Sequence, residues 1–346
     1  MTSPAIAMPK AARRPRRRAR VLPALEAATF LILLLLPLAL DFFHVVFVTK
    51  VMILAMLALS FDLDWGYAGI MSFGQALFFG TAAYAVALIG RDLEIDSIFV
   101  TIPVAALVGL VLAFLLAWFL LLGRRTPSVI FVALGTLTGS YAAERLAAGW
   151  TYIGAANGLS SIPILTAGGF EFVEGLPFYY LAFGFLLATY LLCRMLVRSQ
   201  FGLVLAGIRQ QEARLAFFGY RIGAYKAVIF SLAGLIAGVA GGLYAYHEGF
   251  AGPRILGIAL STQVVLYVLF GGVGTLLGAL IGVAVIEYGS FVLADIYKDI
   301  WPVILGVLLL LVVMFRPTGL LGLVVSERER IGSYGHARPD RDRPRS

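Results

Sequence analysis

Charged side chains are scarce in this chain. Asp, Glu, Lys and Arg make up 13% of its residues, against about a quarter in soluble domains. Cysteine is scarcer still. Cys193 stands alone, which excludes an intramolecular disulfide, and it lies in an apolar run where it reads as packing. Histidine is limited to His44, His247 and His336, and no metal-ligand cluster accompanies them. There is no glycine loop ending in the lysine that holds nucleotide phosphates, so the chain does not hydrolyse nucleotide by itself. No catalytic constellation is visible.

What is present is apolar. Hydrophobic residues reach 61% over 346 positions, and the mean hydropathy is +0.94. Many runs approach or exceed the roughly 18 to 20 residues that cross a bilayer as a helix. The fold class is therefore all-α, a polytopic membrane protein. Apolar runs and their breaks predict about ten helices, with limits 22–40, 44–61, 68–89, 97–122, 128–148, 177–197, 225–246, 258–272, 275–296 and 301–315.

The net charge of +8 is concentrated in residues 1–20, where Lys10, Arg13, Arg14, Arg16, Arg17, Arg18 and Arg20 have no acid among them. A basic tail directly before an apolar run reads as a cytoplasmic anchor. Nucleic-acid binding requires a basic face on a folded module, and none is visible. The run from Val21 to Leu40 is longer than a signal-peptide core and no small-x-small site follows it, so an uncleaved first helix is expected. With that terminus inside, Arg124, Arg125, Arg198, Arg209, Arg214, Arg221 and Arg316 fall in cytoplasmic segments. Both termini are then cytoplasmic. The long outer loop 149–176 reads either as packed on the outer helix ends or as a docking surface or gate.

Two glycine clusters open outward-running spans: Gly66-Tyr67-Ala68-Gly69 and Gly271-Gly272-Val273-Gly274. Glycine breaks at membrane depth occur where the freed backbone is buried or lines a cavity. Paired interrupted segments in two halves of a chain point to a transport pathway. Ser72, Gln75 and Gln263 are polar residues within spans. Glu144 and Arg145 are placed to pair at the outer interface. Glu287 is functional if it lies inside its span and interfacial if that helix ends near Gly289; the interfacial reading is preferred. Asp62 and Asp64 read as a solvated helix end.

The stretch GLVLAGIRQQEARLAFFGYRIGAYK, residues 202–226, is the most polar internal segment. Residues 203–219 read as a helix with Ile208, Leu215 and Phe218 on one stripe, Gln210 and Arg214 facing away and Glu212 at the stripe's edge. Arg209 and Glu212 are spaced to pair, and Gly219 stops the helix. Such a helix lies on lipid headgroups or docks in a partner's groove.

Here Gln211-Glu212-Ala213, with Gly219 seven residues after the Glu and then Tyr220-Arg221-Ile222 and Tyr225-Lys226, resembles the cytoplasmic loop of ABC importer permeases. GYAGIMSFGQALFFGTAAYAVAL at 66–88, AGVAGGLYA at 237–245, GGVGTLLGALIGVAV at 271–285 and FRPTGLLG at 315–322 agree in order with one branch. That branch is the branched-chain amino acid permeases of the LivM type. Gln75 stands where many relatives carry His, and Arg214 where many carry Ala. The resemblance divides the chain into a basic tail 1–20, a permease domain 21–322 and a C-terminal tail 323–346. It implies a transport subunit rather than an enzyme, located in the inner membrane. It implies a second, LivH-like permease, two cytoplasmic ATPases and a periplasmic substrate-binding protein. This chain would bind no cofactor, with ATP and Mg2+ held by the ATPases. Coupling contacts would be Arg209, Gln211, Glu212, Ala213, Arg214 and Gly219. Pathway residues would be Tyr67, Ser72, Gln75 and Gln263, with Gly66, Gly69, Gly271, Gly272 and Gly274 as structural glycines. An ATP-independent secondary transporter, or an ABC permease for sugars, urea or other small polar solutes, are the alternative readings.

Overall fold

A computed structural model describes residues 21–123, 129–160, 162–296 and 319–323, with residues 303, 306, 307 and 310. The expected helix 301–315 and both tails therefore lie largely or wholly outside the described residues. Ten α-helices follow one another in the described part: α1 Val21–Leu35, α2 Phe42–Phe61, α3 Gln75–Leu93, α4 Ile98–Leu121, α5 Val129–Gly149, α6 Leu176–Arg198, α7 Gln200–Phe217, α8 Ile222–Glu248, α9 Ile258–Gly271 and α10 Leu276–Ile296. Apart from α7, each overlaps an expected helix, although α1 ends at Leu35 rather than 40 and α3 begins at Gln75 rather than 68.

Five of them are long and apolar enough to cross a membrane, and a sixth crossing is made if α9 and α10 are taken as one bent unit. These two helices were expected as separate spans. They meet at 114°, and α9, with its 14 residues, is only about 21 Å long at 1.5 Å per residue. That is short of the roughly 30 Å hydrocarbon core.

The core is the long helix α8. It packs against α4 and α3 most extensively and also touches α2. Small residues allow this. A Cβ placed on Gly238 would fall 2.4 Å from the Ala105 carbonyl oxygen of α4, and one on Gly241 would fall 2.0 Å from that of Phe79 in α3. Where lipid removes the hydrophobic drive between helices, close backbone approach supplies the attraction. A Gly238→Val change is expected to separate α4 from α8 and cost about 1–3 kcal/mol. A lowered midpoint for thermal aggregation in detergent reports it; an unchanged midpoint means that this contact is not tight.

The loop 149–176, expected on the outer side, is tied down rather than free. Strand β1 Leu159–Ser160 pairs antiparallel with β4 Phe250–Ala251, just past α8, and β2 Thr166–Ala167 forms a hairpin with β3 Phe170–Glu171. Leu159 and Leu165 are buried beneath it. His247 near the end of α8 stacks on Phe178 and lies 2.7 Å from the Glu174 carboxylate. The expected Glu144–Arg145 pair does not organise this end: Arg145 lies over the Tyr141 ring instead, with its guanidinium carbon 5.1 Å from the ring centroid.

Candidate functional site

The first glycine cluster does not open a helix, as expected from residue 68 onward. Instead α2 runs on into one wide π-helical turn, Asp62–Tyr67, and residues 68–74 are non-helical before α3 begins at Gln75. Single π-turns of this kind recur at functional sites. Gly69 takes a positive φ of 72°, which a side chain would strain. The open segment is held by hydroxyls. Phe73 N–H donates to Thr136 Oγ1 at 3.0 Å, and the Phe73 carbonyl accepts from Ser140 at 3.0 Å and Ser261 at 2.6 Å. Helices α5 and α9 thus satisfy backbone that no helix or lipid could.

The second cluster is a sharper break. Between α9 and α10, Gly272 and Gly274 take φ of 124° and 76°. The two breaks touch each other. Gly274 N–H donates to Asp62 Oδ1 at 2.7 Å across 212 residues of sequence. Tyr67, which is buried, brings its hydroxyl against the Leu276 backbone N–H. At Gly66 there is no room for a side chain: a Cβ would lie 2.2 Å from Asp62 Oδ1 and 2.6 Å from the Gly274 nitrogen.

One side chain from α7 enters this junction. The Arg209 guanidinium donates to the Gly66 carbonyl. A Cβ on Gly274 would stand 3.0 Å from Arg209 Nη1, and one on Gly69 would stand 3.3 Å from Arg209 Cγ. Arg209 therefore lies against Gly66, Gly69 and Gly274 together. It does not pair with Glu212, as the spacing suggested. Gln211 has φ −150° and ψ 81°, so the helix is kinked between the two residues and the one-turn geometry of such a pair is gone. Glu212 instead accepts from Lys226 Nζ of α8 at 2.8 Å.

The same kink divides the expected apolar stripe. Ile208 is buried and Leu215 half-buried, but Phe218 is 69% exposed and its neighbour Phe217 is 89% exposed. Gln211, Ala213, Arg214 and Gly219 are exposed as well. Gly219 ends the helix with φ 86°, and its N–H bonds the Ala216 carbonyl at 3.0 Å. The second half of α7 is thus an exposed knob with two aromatic rings, while its first half is seated on the breaks. Sequence reading missed Phe217, since an apolar residue beside a helix end is ordinarily assigned to packing.

Asp62 and Asp64 were read as a solvated helix end, and both are fully buried. The π-turn winds them inward. Asp64 Oδ2 accepts from the Gln75 amide at 2.7 Å, and Gln75 Oε1 accepts from Ser60 at 3.1 Å. Ser72 is buried too, its hydroxyl receiving the Gly74 N–H at 3.1 Å. Tyr67, Ser72 and Gln75 therefore all belong to the first break. Gln263 belongs to a different group. It donates from Nε2 to Glu287 at 2.8 Å, and Tyr267 donates its hydroxyl to the same carboxylate oxygen. Glu287 is 9% exposed within α10, which continues to Ile296. The preferred interfacial reading is corrected: the helix does not end near Gly289, and two donors from α9 hold the carboxylate inside.

The chain matches a family model described as the permease component of the branched-chain amino acid transport system, over residues 44–314. It is 26% identical to the high-affinity branched-chain amino acid transport system permease protein LivM of Escherichia coli, over 87% of this chain and 77% of that protein. It is also 26% identical to the probable branched-chain amino acid transport permease protein LivM of Methanocaldococcus jannaschii, over 76% of this chain and 89% of that one. The permease BraD of Pseudomonas aeruginosa is 32% identical over 47% of the chain. No solved structure matches. With its glycine breaks, apolar helices and family match covering most of its length, this chain belongs to the permease family of branched-chain amino acid transport systems.

Proposed function

We propose that the chain forms half of the translocation pathway of an ATP-driven importer for branched-chain amino acids, or related small amino acids and amides, in the inner membrane. The observation that carries this is Arg209. A side chain of α7 lies against both interrupted elements at once, so a push on α7 reaches both breaks without an intermediary. Helix α7 is the cytoplasmic coupling helix, and both termini lie on its side of the membrane. A second permease subunit closes the pathway, two cytoplasmic ATPases drive it, and a periplasmic binding protein delivers the solute. ATP and Mg2+ belong to the ATPases.

The exposed end of α7 supplies the ATPase contact. Phe217 and Phe218 are the large rings there, and aromatic side chains seated in a pocket dominate interface energies. The Glu212–Lys226 pair straps this end to α8. The double change Phe217→Asp and Phe218→Asp alters exposed side chains alone. In a mild-detergent pull-down it is expected to keep the second permease and lose the ATPases. Retention of the ATPases at the native level means that the aromatic knob is not the contact.

A further inference from the structure

A second polar group lies away from the junction, between α2, α8, α9 and α10, toward the end of the fold that carries the outer loop. Lys50 of α2 meets Glu248 at the end of α8, Nζ to Oε1 2.7 Å, and its Nζ stands 5.7 Å from the centre of the Tyr244 ring. Glu287 of α10 is held by Gln263 and Tyr267 of α9. Helix α2 packs against all three partners, and Lys50 lies within coulombic reach of Glu287. Among the described residues the group therefore has one cation and two carboxylates.

The charges are not matched. Lys50 is engaged by Glu248, and the donors identified on Glu287 are a neutral amide and a neutral hydroxyl. Ionisable groups within spans are expensive, and they face pathways or partners. The group is also reachable. The Lys50 and Glu248 side chains are each about one-third exposed, at 34% and 33%. Glu287 itself is 9% exposed. Glu287, whose identified donors are neutral, can receive a solute's ammonium group, and Lys50 can share its charge between Glu248 and the solute's carboxylate.

We infer that Lys50, Tyr267 and Glu287 form a transit site for the zwitterionic head of the transported solute, with Glu287 receiving its ammonium group. The inference rests on the transport reading above. It assigns recognition inside the membrane to charge as well as to amides and hydroxyls. The branched side chain is left to apolar walls.

The test uses the complete transporter in proteoliposomes, with ATP inside and binding protein outside. Uptake of leucine, of 4-methylpentanoate and of 3-methylbutylamine is measured for the native complex and for Glu287→Gln and Glu287→Asp. Glu287→Gln is expected to lower leucine uptake at least tenfold while the complex still assembles, as read by co-purification of its subunits; Glu287→Asp recovers part of the uptake. Native leucine uptake by Glu287→Gln overturns the site. Should Glu287→Gln fail to assemble, Tyr267→Phe, which keeps the ring, is expected to raise the KM for leucine several-fold, and an unchanged KM overturns the site. Should the native complex refuse leucine, the substrate proposal fails separately. The transit site then stands only if the solute found to be carried bears an ammonium group, and a neutral or anionic solute overturns it.

Discussion

Replacing Arg209 with alanine is expected to leave an assembled transporter that hydrolyses ATP and moves little solute. The guanidinium bonds the Gly66 carbonyl and lies against Gly274. A hydrogen bond from a charged donor contributes about 1.5–3 kcal/mol, so its loss shifts the equilibrium between α7 and the breaks by roughly thirtyfold at about 2 kcal/mol. The aromatic knob is untouched, so the proposed ATPase contact is expected to persist. Uptake per ATP hydrolysed is the quantity to measure, and it should fall at least tenfold. Arg209→Lys keeps the charge but loses the planar fork, and should recover only part of the coupling. Native stoichiometry in the alanine variant removes Arg209 from the mechanism.

A methyl group on Gly66 is expected to do more damage. It would sit 2.2 Å from Asp62 Oδ1 and 2.6 Å from the Gly274 nitrogen. One of these neighbours is backbone and the other is a fully buried carboxylate, so neither yields easily. Separating them breaks the Asp62–Gly274 bond and takes a backbone donor from a buried carboxylate. Overpacking costs about 1–3 kcal/mol, and breaking a buried charged contact adds about as much or more. Gly66→Ala should lower the thermal midpoint of the solubilised complex by several degrees and abolish uptake. Gly184→Ala is the matched control, because a Cβ there meets nothing within 4 Å. Equal behaviour of the two variants would mean that the junction is loose.

Much of the architecture was legible because bilayer thickness dictates helix length, and apolar runs reveal it. The stop at Gly219 and the two glycine breaks were legible for a similar reason: only glycine takes those conformations without cost. The connections between them were not. Nothing near Asp62 indicates that its donor is Gly274, because the bond joins elements 212 residues apart. Asp62-Leu63-Asp64 looks like a wet helix end until the π-turn is seen to carry both carboxylates inward. Regular helical geometry placed Arg209 opposite Glu212, and the non-helical Gln211 sends them to different partners. Glu287 was misplaced by the glycine at 289, which α10 passes through on its way to Ile296, since an interior glycine costs a helix only about 1 kcal/mol.

Helix α7 is expected to move both breaks together. Hydrogen exchange of the assembled transporter, with and without a nonhydrolysable ATP analogue, measures this directly. Amides of residues 68–74 and 272–275 report it, since Phe73 N–H is held by Thr136 and Gly274 N–H by Asp62, and such bonds open locally before they exchange. Both segments should change protection on nucleotide binding in the native complex, and neither should in Arg209→Ala. A response confined to one segment, or one that survives in Arg209→Ala, means that α7 does not move the two breaks together through Arg209.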